Sequence, residues 1–145
     1  MSTYSEQGAV FTSKGNRLVG IAAVPEARSE LGVLILVGGP QYRVGSHRQF
    51  TLLARQLAEA GIPSFRFDYG GMGDSEGERQ AFHEVRDDVT AALDCFESLA
   101  PGVTRVVLWG LCDAATASLM FAWREPRASA MVPLNPWVHM GEYSP

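Results

Sequence analysis

The sequence predicts an α/β fold: a mostly parallel sheet, entered through an antiparallel hairpin, with helices on both faces. Three observations carry this. Nearly continuous aliphatic runs alternate with segments whose apolar residues recur every three to four positions, the pattern of buried parallel strands joined by amphipathic helices. The first two strand-like stretches are separated only by a tight turn. Glycine-bearing turns follow the successive buried runs. At 145 residues the chain is long enough for one domain with a core, and no repeat, low-complexity tract or internal linker divides it.

The hairpin is predicted from Ala9–Ser13 and Arg17–Val24, joined at Lys14-Gly15-Asn16. A polar connection, Pro25–Glu30, leads to the aliphatic run Leu31–Val37, read as a strand buried on both faces and ended by Gly38-Gly39-Pro40. Ser46 and Gln49 stand at capping-box spacing. Phe50, Leu53, Ala54, Leu57 and Ala58 then recur at helical spacing, and Gly61 stops the helix. Ile62–Phe67 is the next strand, followed by the turn Asp68-Tyr69-Gly70-Gly71-Met72-Gly73-Asp74-Ser75. A second amphipathic helix carries Val85, Val89, Ala92, Leu93, Phe96 and Leu99 and closes at Pro101-Gly102. Val103–Trp109 reads as a strand, Ala114–Trp123 as a small-residue helix and Ala128–Leu134 as a last strand ending at Asn135-Pro136-Trp137. Right-handed crossovers between such strands give the parallel sheet.

Composition narrows the partners. A formal net charge of −4 without a Lys/Arg cluster argues against a nucleic-acid groove. No apolar stretch reaches the roughly 18 residues of a membrane span, and Met1–Gly20 lacks the basic-then-apolar signal pattern. Two cysteines, Cys95 and Cys112, make neither a disulfide framework nor a zinc set, so a reducing cytoplasm is expected.

The segment Val106–Ala115 holds the chemistry. An apolar strand, a sharp turn and a small-residue helix place Cys112 at the apex of Gly110-Leu111-Cys112-Asp113-Ala114. This is a G-x-C-x-A form of the nucleophile elbow, with thiol for hydroxyl and alanine for the last glycine. The turn lifts one side chain above the sheet and aims the first free N–H groups of the helix at whatever that side chain attacks. The helix N-terminus stabilises a thiolate, and the Asp113 carboxylate opposes it.

The remaining polar residues read as structural. Asp68, Gly71, Gly73, Asp74 and Ser75 suit a tight turn held by side-chain bonds to the backbone. The lysine of a phosphate loop is missing, no cofactor motif is present, and no pair of histidines stands at metal-ligand spacing. His47 and His83 precede the helices as surface histidines, and His139 is a loop histidine. Cys95, beside Phe96, reads as packing, and Trp109 as packing under the elbow.

Three landmarks in order carry a family resemblance: the glycine turn after the first parallel strand, D-x-x-G-x-G-x-S over Asp68–Ser75, and G-x-C-x-A. Together they resemble the N-terminal half of the α/β-hydrolase fold. The segments Gly38–Phe50, FDYGGMGDSEG, WGLCDAA and Leu134–Trp137 resemble, more narrowly, the type 1 hydrolases associated with the exosortase A system, predicted cytoplasmic enzymes encoded near exopolysaccharide and protein-sorting genes. The resemblance runs over nearly the whole chain.

It implies a hydrolase of ester or thioester bonds that takes a small acyl substrate on Cys112. The oxyanion hole would use the Asp113 N–H and a donor from the loop after Val37. Related enzymes take that donor from the third loop residue, here Pro40, which has no N–H, leaving Gly39 and the backbone or side-chain amide of Gln41. The fold orders its triad as nucleophile, acid, histidine. The acids after Cys112 are Asp113, Glu125 and Glu142 and the one histidine is His139, so residues 1–145 are expected to form a single domain, the N-terminal portion of the fold, ending before its lid, acid, histidine and last strands. Two other functions stay open: acyl transfer on the same fold, and an inactive scaffold that binds a partner. Ala128–Leu134 would then be a sheet edge, with Met131, Val132 and Leu134 open to self-association.

Overall fold

The computed structural model describes residues 3–137. Strands β1 (Tyr4–Ser13) and β2 (Asn16–Pro25) form the hairpin, each longer than expected, with Val10 opposite Val19. They are joined by Lys14 and Gly15, both at positive φ, the two-residue turn whose twist matches paired strands. Then follow β3 (Leu31–Leu36), α1 (Gln49–Glu59), β4 (Ser64–Phe67), α2 (Arg86–Leu99), β5 (Arg105–Leu111), α3 (Asp113–Phe121) and β6 (Ala128–Leu134).

The described strands form one sheet in the order β1-β2-β4-β3-β5-β6. β2 meets β4 antiparallel, and β4, β3, β5 and β6 run parallel. The alternation of β3 divides the core. Leu34 and Leu36 face α2 and α3, packing with Phe65, Phe67, Leu93, Phe96, Ala114 and Ala117. Val33, Ile35 and Val37 face α1, packing with Phe50, Ala54 and Ala58. The Phe65 and Phe96 rings stack at 5.9 Å, tying β4 to α2. Each such buried aromatic contributes about 1.5–3 kcal/mol relative to exposure.

One helix start departs from the sequence pattern. Ser46 does not cap α1. The segment Ser46–Arg48 is a short 3-10 turn, and His47 and Arg48 take left-handed φ values of 51° and 61°. The helix begins at Gln49 without a side-chain cap. Its first amides are served by a backbone acceptor instead, because the Phe50 and Thr51 N–H groups both donate to the Val44 carbonyl. The other end follows expectation. Gly61, at φ 82°, ends α1, with its N–H on Ala58 and that of Ile62 on Leu57.

Trp109 packs edge-on against Phe50 at 5.6 Å on the α1 face, on the opposite side of the sheet from α3 and not beneath the elbow. Cys95 is half-buried against the α2-side core, and burial pushes its thiol pKa up. Strand β6 is exposed along most of its length at the sheet edge, with Met131, Val132 and Leu134 each 40% accessible.

Candidate active site

Cys112 stands where β5 passes into α3, with φ 59° and ψ −120°. An L-residue held there carries about 1–3 kcal/mol of strain and persists only when its surroundings impose the conformation. Three hydrogen bonds do so. The Cys112 N–H donates to the Leu134 carbonyl of β6 at 2.9 Å, and its own carbonyl accepts from the Ala115 and Thr116 N–H groups. Gly110 lets the helix return close to the strand, since a Cβ there would lie 2.6 Å from the Ala114 carbonyl carbon. Ala114 lies within α3 on helical backbone, so the last position of the motif needs no glycine.

The half-buried thiol donates to Asp113 Oδ1 at 3.6 Å. Asp113 is the first residue of α3, where N–H groups have no intrahelical acceptor. The loop after β3 closes on this point. A Cβ at Gly38 would lie 2.3 Å from the Leu111 oxygen, 2.9 Å from the Ala114 nitrogen and 3.3 Å from the Asp113 nitrogen. Only glycine allows that approach. Gly38, Gly39, Asp113 and Ala114 share a cleft with Tyr69, Met72, Gln80 and Phe82, of about 40 Å³.

Gln41 is placed differently from Gly39. Its side-chain oxygen accepts from the Ser46 N–H and from Gln49 Nε2, both at 3.2 Å, so the side chain shapes the approach to α1. It is not among the residues lining the cleft.

The D-x-x-G-x-G-x-S turn holds this loop in place. Asp68 is fully buried. It accepts from the Arg43 N–H at 2.7 Å, from Arg43 Nη1 at 2.5 Å and from the Asp74 N–H at 3.0 Å. Arg43 also pairs with the exposed Asp74 at 2.7 Å. Ser75 Oγ donates to the Asp68 carbonyl and accepts from the Val19 N–H, binding the turn to the hairpin. A second buried carboxylate, Asp88, accepts from Ser13 Oγ, the Gly70 N–H and Gln80 Nε2. Both carboxylates are taken up by internal hydrogen bonds, Asp68 within the glycine-rich turn and Asp88 on α2.

Two groups have no signal in the sequence pattern, Tyr69 in the lining of the cleft and Arg43 behind its loop. Arg43, the clamp, has no signal in spacing, because its partner lies 25 residues away. Tyr69 has only its place in the glycine-rich turn to mark it in the sequence. The histidines are not brought to the thiol by any bond among the described residues. His47 and His83 are exposed, the latter edge-on to Phe82, and His139 lies outside the described residues. Glu125 sits before β6, at the other end of the strand from Leu134, and bonds Arg127 at 2.7 Å. Glu142 is likewise outside the described residues. Among the described residues, no group of three or more His, Cys, Asp or Glu side chains is placed to hold a metal, and no helix is long and apolar enough to cross a membrane.

Solved structures share this architecture. An esterase of Pyrococcus furiosus, Pf2001, superposes with a TM-score of 0.81 at 18% identity, over 92% of this chain and 53% of its own. The α/β hydrolase GrgF of a Penicillium species gives 0.79 at 22% identity, over 91% and 46%. Est1E of Butyrivibrio proteoclasticus, solved with ferulic acid, gives 0.75 at 21%, over 88% and 52%. The chain thus spans about half the length of these structures, and at such identity the likeness establishes the fold. No curated protein matches the chain. The family model described as serine aminopeptidase, S33, matches residues 31–145, from the first residue of β3 onward, and by that match the chain belongs to this family of α/β hydrolases.

Proposed function

We propose that the site cleaves ester or thioester bonds, with Cys112 as the nucleophile in place of the serine in the family's description. The observation that carries this is the Cys112 backbone at φ 59° and ψ −120°, strained at the apex of a strand-to-helix turn beside the N-terminus of α3. The sulfur attacks the acyl carbon and an S–C bond forms as the carbonyl electron pair moves onto oxygen. The Asp113 N–H donates to that oxyanion, with Gly39, which lines the cleft, as the second donor. Collapse expels the alcohol or thiol, and water cleaves the acyl-Cys112 thioester. The thiol proton passes to a base. Asp113 Oδ1 is the acceptor beside Sγ, and in this fold a histidine oriented by an acid follows the nucleophile in the chain.

The four segments quoted above for their resemblance to exosortase A-associated hydrolases support an acyl substrate linked to exopolysaccharide or protein sorting, in the cytoplasm. The exposed Met131, Val132 and Leu134 support self-association through β6, which sedimentation at rising concentration tests. A single monomeric species at all concentrations removes that part.

Mass spectrometry after exposure to p-nitrophenyl butyrate tests the nucleophile. Cys112 is expected to carry the acyl group and Cys95, half-buried with its thiol pKa raised, to remain free. Equal acylation of both cysteines, or turnover undiminished in Cys112→Ala, refutes the assignment.

A further inference from the structure

The cleft contains a donor that acyl transfer at Cys112 leaves unused. Tyr69 follows the buried Asp68 just beyond β4 and is itself 8% exposed. Its ring is held edge-on against Phe67 at 5.1 Å. The side chain lines the same cleft as Gly38, Asp113 and Phe82. Its Oη is buried and has no hydrogen-bond partner among the described residues. The nearby carboxylates are otherwise engaged. Asp88 accepts from Ser13, Gly70 and Gln80, and Asp113 from the Cys112 thiol. Burial first, then the charges of Asp88 and Asp113, push the phenol pKa well above its ordinary value, so the group stays a neutral donor. A buried hydroxyl on a residue that lines a cleft, without an internal acceptor, is costly unless a group entering the cleft accepts from it.

We propose that Tyr69 determines specificity, its Oη–H donating to an oxygen carried on a short acyl group, such as a hydroxyl, seated in this cleft. The ligand being an acyl group rests on the proposed function, whereas the hydrogen bond needs no chemistry at Cys112. Beside Arg79 and Gln80, the remaining side chains of the lining fit such a group. Met72, Phe82, Val85 and Ala117 offer apolar walls, and about 40 Å³ has room for roughly three water-sized groups.

The test measures binding of unreactive amides by ligand-observed NMR: butyramide against its 2-, 3- and 4-hydroxy derivatives, on the wild-type chain and on Tyr69→Phe. At least one hydroxy derivative is expected to bind about three- to tenfold more tightly than butyramide. Tyr69→Phe is expected to erase that advantage while leaving butyramide affinity unchanged and the thermal midpoint of the free protein no lower than wild type, since the phenol has no internal acceptor to lose. Absence of the advantage for every derivative, its survival in Tyr69→Phe, equal weakening of all the amides, or no measurable binding of any of them overturns the inference. A fall of the thermal midpoint in Tyr69→Phe reveals an internal acceptor for the phenol and overturns it too. Cys112 acylation is read separately. Loss of labelling with the amide preference intact retires the nucleophile and leaves Tyr69, and the reverse retires Tyr69 alone.

Discussion

Replacing Asp68 by asparagine keeps the shape of the side chain and removes the charge that holds the loop after β3 over Cys112. The carboxylate accepts three hydrogen bonds, two of them from Arg43. The amide can keep the bond from the Arg43 N–H through its oxygen. Its NH₂ then faces two donors, Arg43 Nη1 and the Asp74 N–H. The loss is one charge-assisted bond, about 1.5–3 kcal/mol, plus an amide left without its acceptor, about 1 kcal/mol. Water screens little of this, since the Asp68 side chain is 0% and that of Arg43 16% exposed. Arg43 keeps its pair with Asp74, which limits the damage. The expected cost is therefore about 2–4 kcal/mol, read from urea unfolding followed by tryptophan fluorescence with the slope unchanged. In a chain of this size that lowers the midpoint of thermal unfolding by about 5–15 °C. Asp74→Asn, at a carboxylate 66% exposed, is the control and is expected to cost less than about 1 kcal/mol. A cost below about 0.5 kcal/mol for Asp68→Asn, or equal costs for the two variants, refutes the view that the buried carboxylate is the clamp.

Gly38→Ala sets a methyl group against backbone atoms that cannot turn aside, the nearest 2.3 Å away. It is expected to cost about 1–3 kcal/mol and to slow Cys112 acylation more than tenfold, both measurable on the purified variant. Cys112→Gly relieves the positive-φ strain that Cys112→Ala retains, so the glycine variant is expected to be the more stable of the two by about 1 kcal/mol in denaturant titrations, with neither acylated at position 112. The hydrogen bonds from Arg127 hold the Glu125 carboxyl below its ordinary value of 4.5, against the opposing effect of burial. That contribution is present in full above pH 4.5 and is lost as pH falls through the depressed folded value. Arg127→Ala is thus expected to flatten the acid-side fall of the urea midpoint, and an unchanged profile shows the pair to be without effect on stability.

Strand and helix existence was legible because the chain repeats two periods cleanly. Ala128–Leu134 was read as it stands, and Phe50, Ala54 and Ala58 bury the face their spacing marks. The elbow was legible because strand, turn and helix are contiguous there. The start of α1 was not, since Ser46 and Gln49 have capping-box spacing while the Val44 carbonyl takes the amides that a cap would serve. The orientation of Trp109 followed which face Phe50 occupies, a fact settled across the sheet. Interactions between distant residues left no local trace: Arg43 with Asp68, Ser13 with Asp88, and the placing of β4 between β2 and β3. Counting along the loop past Pro40 makes Gln41 the next candidate donor, whereas the fold turns its side chain toward the start of α1 and leaves Gly39 along the cleft.

The bond from the Cys112 N–H to the Leu134 carbonyl makes β6 a latch on the apex of the turn. The sulfur is held up by tension in its own backbone, and one end of that tension is fastened to the outermost described strand. Fraying of β6 removes the acceptor of the Cys112 N–H, so the outer strand and the apex are coupled through that bond. Whatever lies along that strand, whether another chain or more of this one, sets how long the thiol stays cocked.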